Sequence, residues 1–414
     1  MEANGMGHVA RTFAARAPVP GLRRIHILLL TLCLAAASTT CRAGELEDAF
    51  ADLEAVERLD ALGYAAGYAP APDQTGVLVH DAARTQPGVN LVLSSHHLGA
   101  AILYADGKPL HAWAYNLWEQ TPLDAIPAFA TQARHGGWDF CSRAEPLRDG
   151  GLLFIQKGCG VFRIDRDSNL RWAAWFPAHH DLQVQPDGRI LVLVQTETAG
   201  NALPTDDFIV TLSGAGAELG RISIVRAILR SDHAPLLERH GTNRPYLHTN
   251  KLHVLDGRWA DRAPAFRKGN ILLSCRDIDT LLIIDPAAER VVWSLGGMWR
   301  RQHEPRPLAN GNLLLFDNQG NGGYSRVLEF NPFTQQIAWT YEGTPPTAFD
   351  SQVGGACARL ANGNTLITES TQGRALEVTP QGDIVWKYVN PHRNGAHIAP
   401  LFEVRRLPEW PPVE

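Results

Sequence analysis

Three histidines, one arginine and one asparagine are the side chains of this 414-residue chain that could do chemistry together. They are His180, His248, Asn250, Arg276 and His303. Three imidazoles alone would suit Zn²⁺, but an arginine beside them would repel a cation, and no carboxylate obviously completes a metal shell. Cationic and amide donors better suit a tetrahedral anion rich in oxygen, such as a sulfuryl or phosphoryl group. Because phosphoryl transfer usually recruits Mg²⁺ through carboxylates, the set favours a sulfuryl group, and we expect neither a metal nor a cofactor.

Two of the histidines occupy the same place in a repeated unit. His180 lies eight residues before Gly188, and His303 lies eight residues before Gly311. Each histidine therefore opens a strand that leads into a glycine turn. Other copies of the unit have different residues at this place, so histidine is not required to pack the repeat.

The repeated unit is recognised by a hairpin that usually ends in tryptophan. Beyond residue 75, short alternating apolar runs are separated by Gly, Pro, Asn and Asp, which is typical of strands and turns, and no convincing helix follows. The hairpins are Ala101–Trp113, Val161–Trp172, Leu281–Trp293, Val327–Trp339 and Leu376–Trp386, with a sixth copy, Phe208–Ile222, that lacks the tryptophan. Another hairpin precedes each of these. Six units of four antiparallel strands predict an all-β fold, a six-bladed β-propeller, in which the tryptophans pack between blades.

A propeller places the first strand of each blade along its central channel. His180 and His303 would then face each other at one end of that channel. His248 and Asn250 open the first strand of the fourth blade, and Arg276 ends its second strand, which antiparallel pairing returns to the same rim. We therefore expect all five side chains at one channel mouth.

The first 75 residues differ from the repeats. We divide the chain into a signal peptide with its preceding residues, 1–43, a helix and linker, 44–75, and the propeller, 76–414. Arg23 and Arg24 precede a short apolar run and then small residues, as in secretory signals. The spacing of apolar residues predicts a short helix over Glu45–Leu62. We expect a periplasmic or secreted protein with no membrane insertion after cleavage; a retained anchor and a lipid on Cys41 are the alternatives.

Composition excludes some partners and sites, and two pairings stay open. The formal net charge of −5 shows no basic excess, so nucleic acid held by bulk charge is not expected. No C-x-x-C spacing occurs among the six cysteines, so the usual structural zinc site is not encoded. Cys141 and Cys159 could form a disulfide between adjacent strands or remain buried thiols. His397–Leu407 could complete the last blade or pair with a strand around Val77–Val79.

Four motifs, taken in order, resemble the bacterial arylsulfate sulfotransferases, and the similarity extends over residues 76–407. They are His179-His-Asp-Leu-Gln-Val-Gln-Pro-Asp-Gly188, His248-Thr-Asn250, Ser274-Cys-Arg276 and Gln302-His-Glu-Pro-Arg-Pro-Leu-Ala-Asn-Gly-Asn-Leu-Leu-Leu-Phe-Asp-Asn318. The resemblance implies a six-bladed propeller that moves a sulfuryl group from an aryl sulfate to a phenolic acceptor without a nucleotide donor. We expect neither the N-terminal β-sandwich nor the close cysteine pair of the best-known members in this chain.

The resemblance also implies roles for single residues. His303 would be the nucleophile that forms a transient sulfohistidine. Arg276, His248 and Asn250 would hold the sulfuryl oxygens. His180 or His248 would donate a proton to the leaving phenolate and later take one from the acceptor.

Three neighbours of these residues are expected to have structural roles, and other functions stay open. His179 should point away, because side chains alternate along a strand. Asp317 and Asn318 are expected to buttress the rim. One alternative is a propeller that binds a sulfated or other anionic ligand without turnover, and another is a hydrolase that uses a metal held by the histidines. A third is a quinoprotein, because the hairpin that ends at Trp113 also resembles quinoprotein repeats.

Overall fold

The computed structural model describes residues 68–95, 99–135, 140–197, 205–238, 247–345 and 348–411. In these ranges the chain forms six antiparallel sheets of four or five strands, arranged as the blades of a β-propeller, and one short two-stranded ladder. The predicted all-β, six-bladed fold is therefore confirmed. The predicted signal peptide and the helix over Glu45–Leu62 lie outside the described residues.

Blades 2 to 6 each run outward from the central channel in chain order, and their first strands are neighbours around it. The strands are Cys141–Pro146, Leu152–Gln156, Gly160–Ile164 and Leu170–Trp175 in blade 2; Ala178–Val184, Ile190–Glu197, Thr205–Leu212 and Glu218–Ser223 in blade 3; Thr249–Val254, Ile271–Cys275, Thr280–Asp285 and Arg290–Gly296 in blade 4; His303–Pro307, Leu313–Asn321, Tyr324–Phe330 and Ile337–Tyr341 in blade 5; and Ala356–Arg359, Thr365–Glu369, Arg374–Val378 and Ile384–Val389 in blade 6. The outer two strands of each blade are the hairpin that the repeat predicts.

The two ends of the described chain close the ring by exchange. Blade 1 consists, from the channel outward, of Leu401–Leu407, Val89–Ser94, Gly99–Tyr104 and Pro109–Ala114. Gly76–His80 pairs instead with Ile384–Val389, as a fifth, outermost strand of blade 6. Neither predicted closure is therefore correct, because the last strand completes the first blade and the first strand extends the last blade. The two-stranded ladder, Arg393–Asn394 with His397–Ile398, precedes the final strand.

The tryptophans of the repeat connect neighbouring blades, as predicted. The indole Nε1 of Trp113 in blade 1 donates to the carbonyl oxygen of Gly150, in a turn of blade 2. Trp339 in blade 5 donates to the turn of blade 6, and Trp386 in blade 6 donates to the turn of blade 1. An indole ring packed between blades, together with its N–H bond, holds blades 1, 5 and 6 against the blades that follow them.

Short helices join some of the strands. The α-helices are Leu117–Gln120, Ala128–His135, Ile224–Leu229 and Pro235–Glu238, and the 3₁₀ turns are Leu123–Ala125, Pro264–Phe266, Arg276–Ile278 and Ser370–Gln372. The expectation of no helix beyond residue 75 is therefore wrong, because helices of four to eight residues are too short to show a helical period. None of the helices in the described ranges has the length and apolar character needed to cross a membrane.

Candidate active site

Left-handed residues lie near the start of the channel strands in three blades and interrupt the alternation of side chains. His180, His248 and Glu304 have φ between 49° and 52°, a region that costs a residue with a side chain about 1–2 kcal/mol. In blade 3, the three residues 179–181 lie opposite the single residue Leu193 of the second strand, as in a β-bulge. Successive side chains of this strand can therefore meet on one side.

His179 lies against His180, although it was expected to point away. Nδ1 of His179 is 2.8 Å from Nδ1 of His180. The prediction was wrong because it assumed a regular strand, and the left-handed His180 ends that regularity. His180 in turn contacts His248, with 3.1 Å between their Nε2 atoms. Both ring nitrogens of His180 are thus engaged by other histidines.

Burial keeps these three imidazoles neutral. It lowers the pKa of His179 to about 3, with a further contribution from the Lys157 ammonium. The pKa of His180 lies well below 6.5, first through burial and then through Lys157. The pKa of His248 is lowered in the same way, by burial and then by the Arg276 guanidinium. Each imidazole therefore has one N–H and one lone pair.

A buried carboxylate lies at the end of this row of histidines. Oδ1 of Asp207 is 3.6 Å from Nε2 of His179. Oδ2 of Asp207 accepts from the backbone N–H of Thr249 at 2.6 Å, and Oδ1 accepts from Nε2 of Gln195 at 3.2 Å. Burial raises the pKa of Asp207 to about 6, although these hydrogen bonds oppose the shift. Asp207 lies on a third strand, away from the channel positions of the repeat, so the spacing of motifs could not reveal it.

Hydrogen bonds to Nδ1 determine the tautomer of His303. Nδ1 lies 2.7 Å from Oδ1 of Asn318 and 3.0 Å from the carbonyl oxygen of Arg301. Nδ2 of Asn318 donates to the carbonyl oxygens of Ser351 and Gly354 at 2.7 Å and 2.6 Å, which fixes the orientation of the amide. Both neighbours of Nδ1 are therefore acceptors, so Nδ1 has the hydrogen and Nε2 has the lone pair. Asn318 does more than buttress the rim, because it orients His303.

His303 is neutral at ordinary pH. Burial lowers its pKa to about 4, with a further contribution from Arg276, although the hydrogen bond that Nδ1 donates to Asn318 opposes the shift. The side chain keeps limited access to solvent, at 7% exposure. A neutral imidazole with its lone pair on Nε2 has the electronic state of a nucleophile.

Arg276 and Asn250 connect the histidines of blades 3, 4 and 5. Arg276 follows the second strand of blade 4 directly, and its backbone N–H donates to the carbonyl oxygen of His248 at 3.1 Å. Its guanidinium contributes to the low pKa of all three histidines that were predicted from the motifs. Nδ2 of Asn250 donates to the carbonyl oxygen of Gln302 at 2.8 Å, next to His303. The five predicted side chains therefore lie at the same end of the channel strands.

A largely buried ion network lies on the channel strands next to these residues. It consists of Arg143, Asp181, Lys251, Glu304, Arg306 and Glu403, which come from five blades. Nζ of Lys251 lies 3.2 Å from Oε1 of Glu304, and Nε of Arg143 lies 3.1 Å from Oδ1 of Asp181. Three cations thus balance three carboxylates, as buried charges require. Sequence reasoning missed the network, although Asp181, Lys251 and Glu304 directly follow the site residues 180, 250 and 303.

Other groups around the site are not arranged for disulfide or metal chemistry. Cys141 and Cys159 are buried thiols that form no disulfide, so the alternative of a disulfide between them is not realised. Cys275 and Cys357 are also buried and form no disulfide. Within the ranges that the structure describes, no group of three or more His, Cys, Asp or Glu side chains is placed to hold a metal ion.

Several solved structures are similar to this chain at low sequence identity. A crystal structure of a protein of unknown function from Bacteroides caccae is 16% identical, with a TM-score of 0.51, and covers 77% of this chain and 98% of its own. Virginiamycin B lyase from Staphylococcus aureus is 12% identical, with a TM-score of 0.38, over 61% of this chain and 71% of its own. The WD40 β-propeller domain of Doa1 is 10% identical, with a TM-score of 0.41, over 82% of this chain and 94% of its own. The first of these similarities concerns the fold alone.

Sequence comparison identifies the family. A search of curated proteins finds no significant match. The sequence model of the Arylsulfotransferase (ASST) family matches residues 151–391, which is more than half of the chain and includes His180, Arg276 and His303. The chain therefore belongs to the arylsulfotransferase family.

Proposed function

We propose that the protein transfers a sulfuryl group from an aryl sulfate ester to a phenol through a sulfohistidine at His303, without a nucleotide donor. The observation that supports this most strongly is the hydrogen bonding of Nδ1, which donates to Asn318 and to the carbonyl oxygen of Arg301. It leaves the lone pair on Nε2. A neutral imidazole beside an arginine suits attack on the sulfur of an anionic ester.

The donor half-reaction forms one bond and breaks one. Nε2 of His303 attacks sulfur, the bond between sulfur and the phenolic oxygen breaks, and its electron pair stays on the phenolate. The guanidinium of Arg276 stabilises the negative charge of the sulfuryl oxygens as they pass through the transition state. Asn250 keeps the backbone at Gln302 in place and has a second N–H for a sulfuryl oxygen.

The acceptor half-reaction reverses these steps with a new phenol. The acceptor oxygen attacks the sulfur of sulfohistidine, the N–S bond breaks, and its electron pair returns to Nε2. One proton must be supplied to the first phenolate and one must be removed from the second phenol. The contact between His180 and His248 provides imidazoles for this exchange.

A transfer assay with two histidine variants tests the proposal. We expect purified protein to convert 4-nitrophenyl sulfate and phenol into 4-nitrophenol and phenyl sulfate. His303→Ala should abolish transfer. The matched control is His253→Ala, because His253 is also a mostly buried histidine of a channel strand but lies toward the other end of that strand, beside Asp256 and Trp259. We expect this variant to retain transfer.

Two outcomes would contradict the proposal. If His303→Ala transfers as fast as the unchanged protein, His303 is not the nucleophile. If the unchanged protein binds an aryl sulfate saturably but produces neither 4-nitrophenol nor phenyl sulfate, the propeller is an anion-binding protein.

A further inference from the structure

Four side chains lie end to end beside the channel and connect the site to a buried carboxylate. They are Asp207, His179, His180 and His248, and we call this row the histidine relay. The successive distances are 3.6 Å from Oδ1 to Nε2, 2.8 Å between the two Nδ1 atoms, and 3.1 Å between the two Nε2 atoms. The first distance is within ion-pair range, and catalytic hydrogen bonds are often long before a substrate binds. Every imidazole in the row contacts its neighbours through ring nitrogens.

We propose that the histidine relay supplies the proton that the leaving phenolate needs, and that its terminal carboxyl group stores this proton between turnovers. This inference rests on the proposed sulfuryl transfer. It extends the site beyond the side chains that hold the sulfuryl group. It also assigns positioning roles to Asp207 and His179, which act through His180 and His248.

The relay has two states that differ only in where its hydrogens lie. In the loaded state Asp207 is a carboxylic acid that faces Nε2 of His179. The imidazole hydrogens then lie on Nδ1 of His179, Nε2 of His180 and Nδ1 of His248. In the emptied state Asp207 is a carboxylate, and the imidazole hydrogens lie on Nε2 of His179, Nδ1 of His180 and Nε2 of His248. The imidazoles are neutral in both states, which agrees with their low pKa values.

The proton balance of the two half-reactions follows from these states. In the donor half-reaction, Nδ1–H of His248 protonates the phenolate oxygen, each imidazole passes one proton along the row, and Asp207 becomes a carboxylate. In the acceptor half-reaction, the phenol gives its proton to Nδ1 of His248, the row shifts back, and Asp207 becomes a carboxylic acid again. One proton leaves and one returns, so no external acid is needed.

The surroundings of Asp207 favour storage of a proton. The group is fully buried, and its pKa is raised to about 6, chiefly by burial. The adjacent carboxylate of Asp206 adds to this increase, whereas the hydrogen bonds from Thr249 and Gln195 oppose it.

Neighbouring cations disfavour a positive charge on the imidazoles of the relay. Lys157 faces all three histidines from blade 2, and Arg276 faces His180 and His248 from blade 4. His303 faces His180 from blade 5. A transfer that keeps each imidazole neutral therefore fits this environment better than an imidazolium would.

Two aryl sulfates with different leaving groups test the relay. Phenyl sulfate releases a phenolate about as basic as that of tyrosine, whose conjugate acid has a pKa of about 10, so it needs the proton. 4-Nitrophenyl sulfate releases a much weaker base and does not need it. We expect His179→Gln and Asp207→Asn to slow single-turnover formation of sulfohistidine from phenyl sulfate by about 100-fold or more, the usual contribution of an acid, and to slow the reaction of 4-nitrophenyl sulfate by less than about 3-fold.

Asp317→Asn is the matched control. Asp317 is also a buried carboxylate near the site, but it accepts from Arg300, Gly320 and Arg326 and is not part of the relay. Any effect of this variant should be equal for the two sulfates. The relay hypothesis is wrong if His179→Gln and Asp207→Asn also slow both sulfates equally, or if they slow neither.

A second measurement does not depend on turnover. ¹⁵N NMR of the histidine rings should show that His180 exchanges its hydrogen between Nδ1 and Nε2 as pH crosses about 6. Asp207→Asn should abolish this exchange. If the unchanged protein forms no sulfohistidine from either sulfate, the proposed function fails; if the tautomer of His180 does not change with pH, the relay fails.

Discussion

Replacing Asn318 by alanine should slow the nucleophile without removing it. Oδ1 of Asn318 is one of two acceptors for Nδ1–H of His303, and the carbonyl oxygen of Arg301 is the other. The variant keeps the imidazole and the second acceptor, so the tautomer with the lone pair on Nε2 is still favoured. What it loses is the bond that fixes the orientation of the ring.

The magnitude follows from the hydrogen bonds that are lost. A neutral hydrogen bond contributes about 1–1.5 kcal/mol, which corresponds to a rate about five- to tenfold lower if all of it is lost from the transition state. Asn318 also donates to Ser351 and Gly354. Three bonds at about 1 kcal/mol each predict a free energy of unfolding that is lower by about 3 kcal/mol.

A matched variant separates the two effects. The hydroxyl of Ser325 donates to the carbonyl oxygens of Asn318 and Ser351 and accepts from the Ser351 N–H, but it does not contact His303. Ser325→Ala should lower stability and leave sulfohistidine formation nearly unchanged, whereas Asn318→Ala should lower both. Stopped-flow release of 4-nitrophenol and urea unfolding measure the two quantities. If Asn318→Ala lowers stability and leaves the burst rate unchanged, the assigned role of Asn318 is wrong.

Three further predictions concern other parts of the site. Because the pKa of His303 is lowered to about 4, its imidazole is neutral above that pH. The rate of the 4-nitrophenol burst from 4-nitrophenyl sulfate should therefore be constant above about pH 5 and fall below about pH 4. A fall in this rate centred at pH 6.5 would contradict the prediction. Arg276→Met should lower kcat/KM for an aryl sulfate by about 100- to 1,000-fold, as for loss of a preorganised donor; initial rates close to those of the unchanged protein would exclude the assigned role of Arg276. Lys251→Met leaves two buried carboxylates, Asp181 and Glu304, without this partner and should lower the free energy of unfolding by about 3–5 kcal/mol. The control, Lys108→Met, removes an exposed pair with Asp106 and should leave the urea midpoint nearly unchanged, because exposed ion pairs contribute little to stability. Equal urea midpoints for the two variants would contradict the role of the network.

The blades could be predicted from the sequence because each has the same physical need. A hairpin must bury its outer face against the next blade, and an indole that donates to the neighbouring turn meets this need in blades 1, 5 and 6. Because this contact recurs, tryptophan recurs at the same place in the sequence repeat. The closure of the ring is different, since it depends on pairing between Val89 and Leu407, which no local pattern records.

The residues of the site also divide into those that the sequence predicts and those that only the folded structure reveals. The places of His180 and His303 follow from the turn spacing, because that spacing determines where a channel strand begins. His179 could not be placed correctly, because its direction depends on a left-handed neighbour that no residue type signals. Asp207 reaches the histidines from the third strand of its blade, so only the folded sheet reveals the contact.

Mass spectrometry of the peptide that contains His303 tests the central claim most directly. After incubation with an aryl sulfate alone, we predict one added SO₃ group on His303. Addition of phenol should remove it and produce an equal amount of phenyl sulfate. A peptide that stays unmodified while transfer proceeds, or an SO₃ group on another residue, would contradict the account.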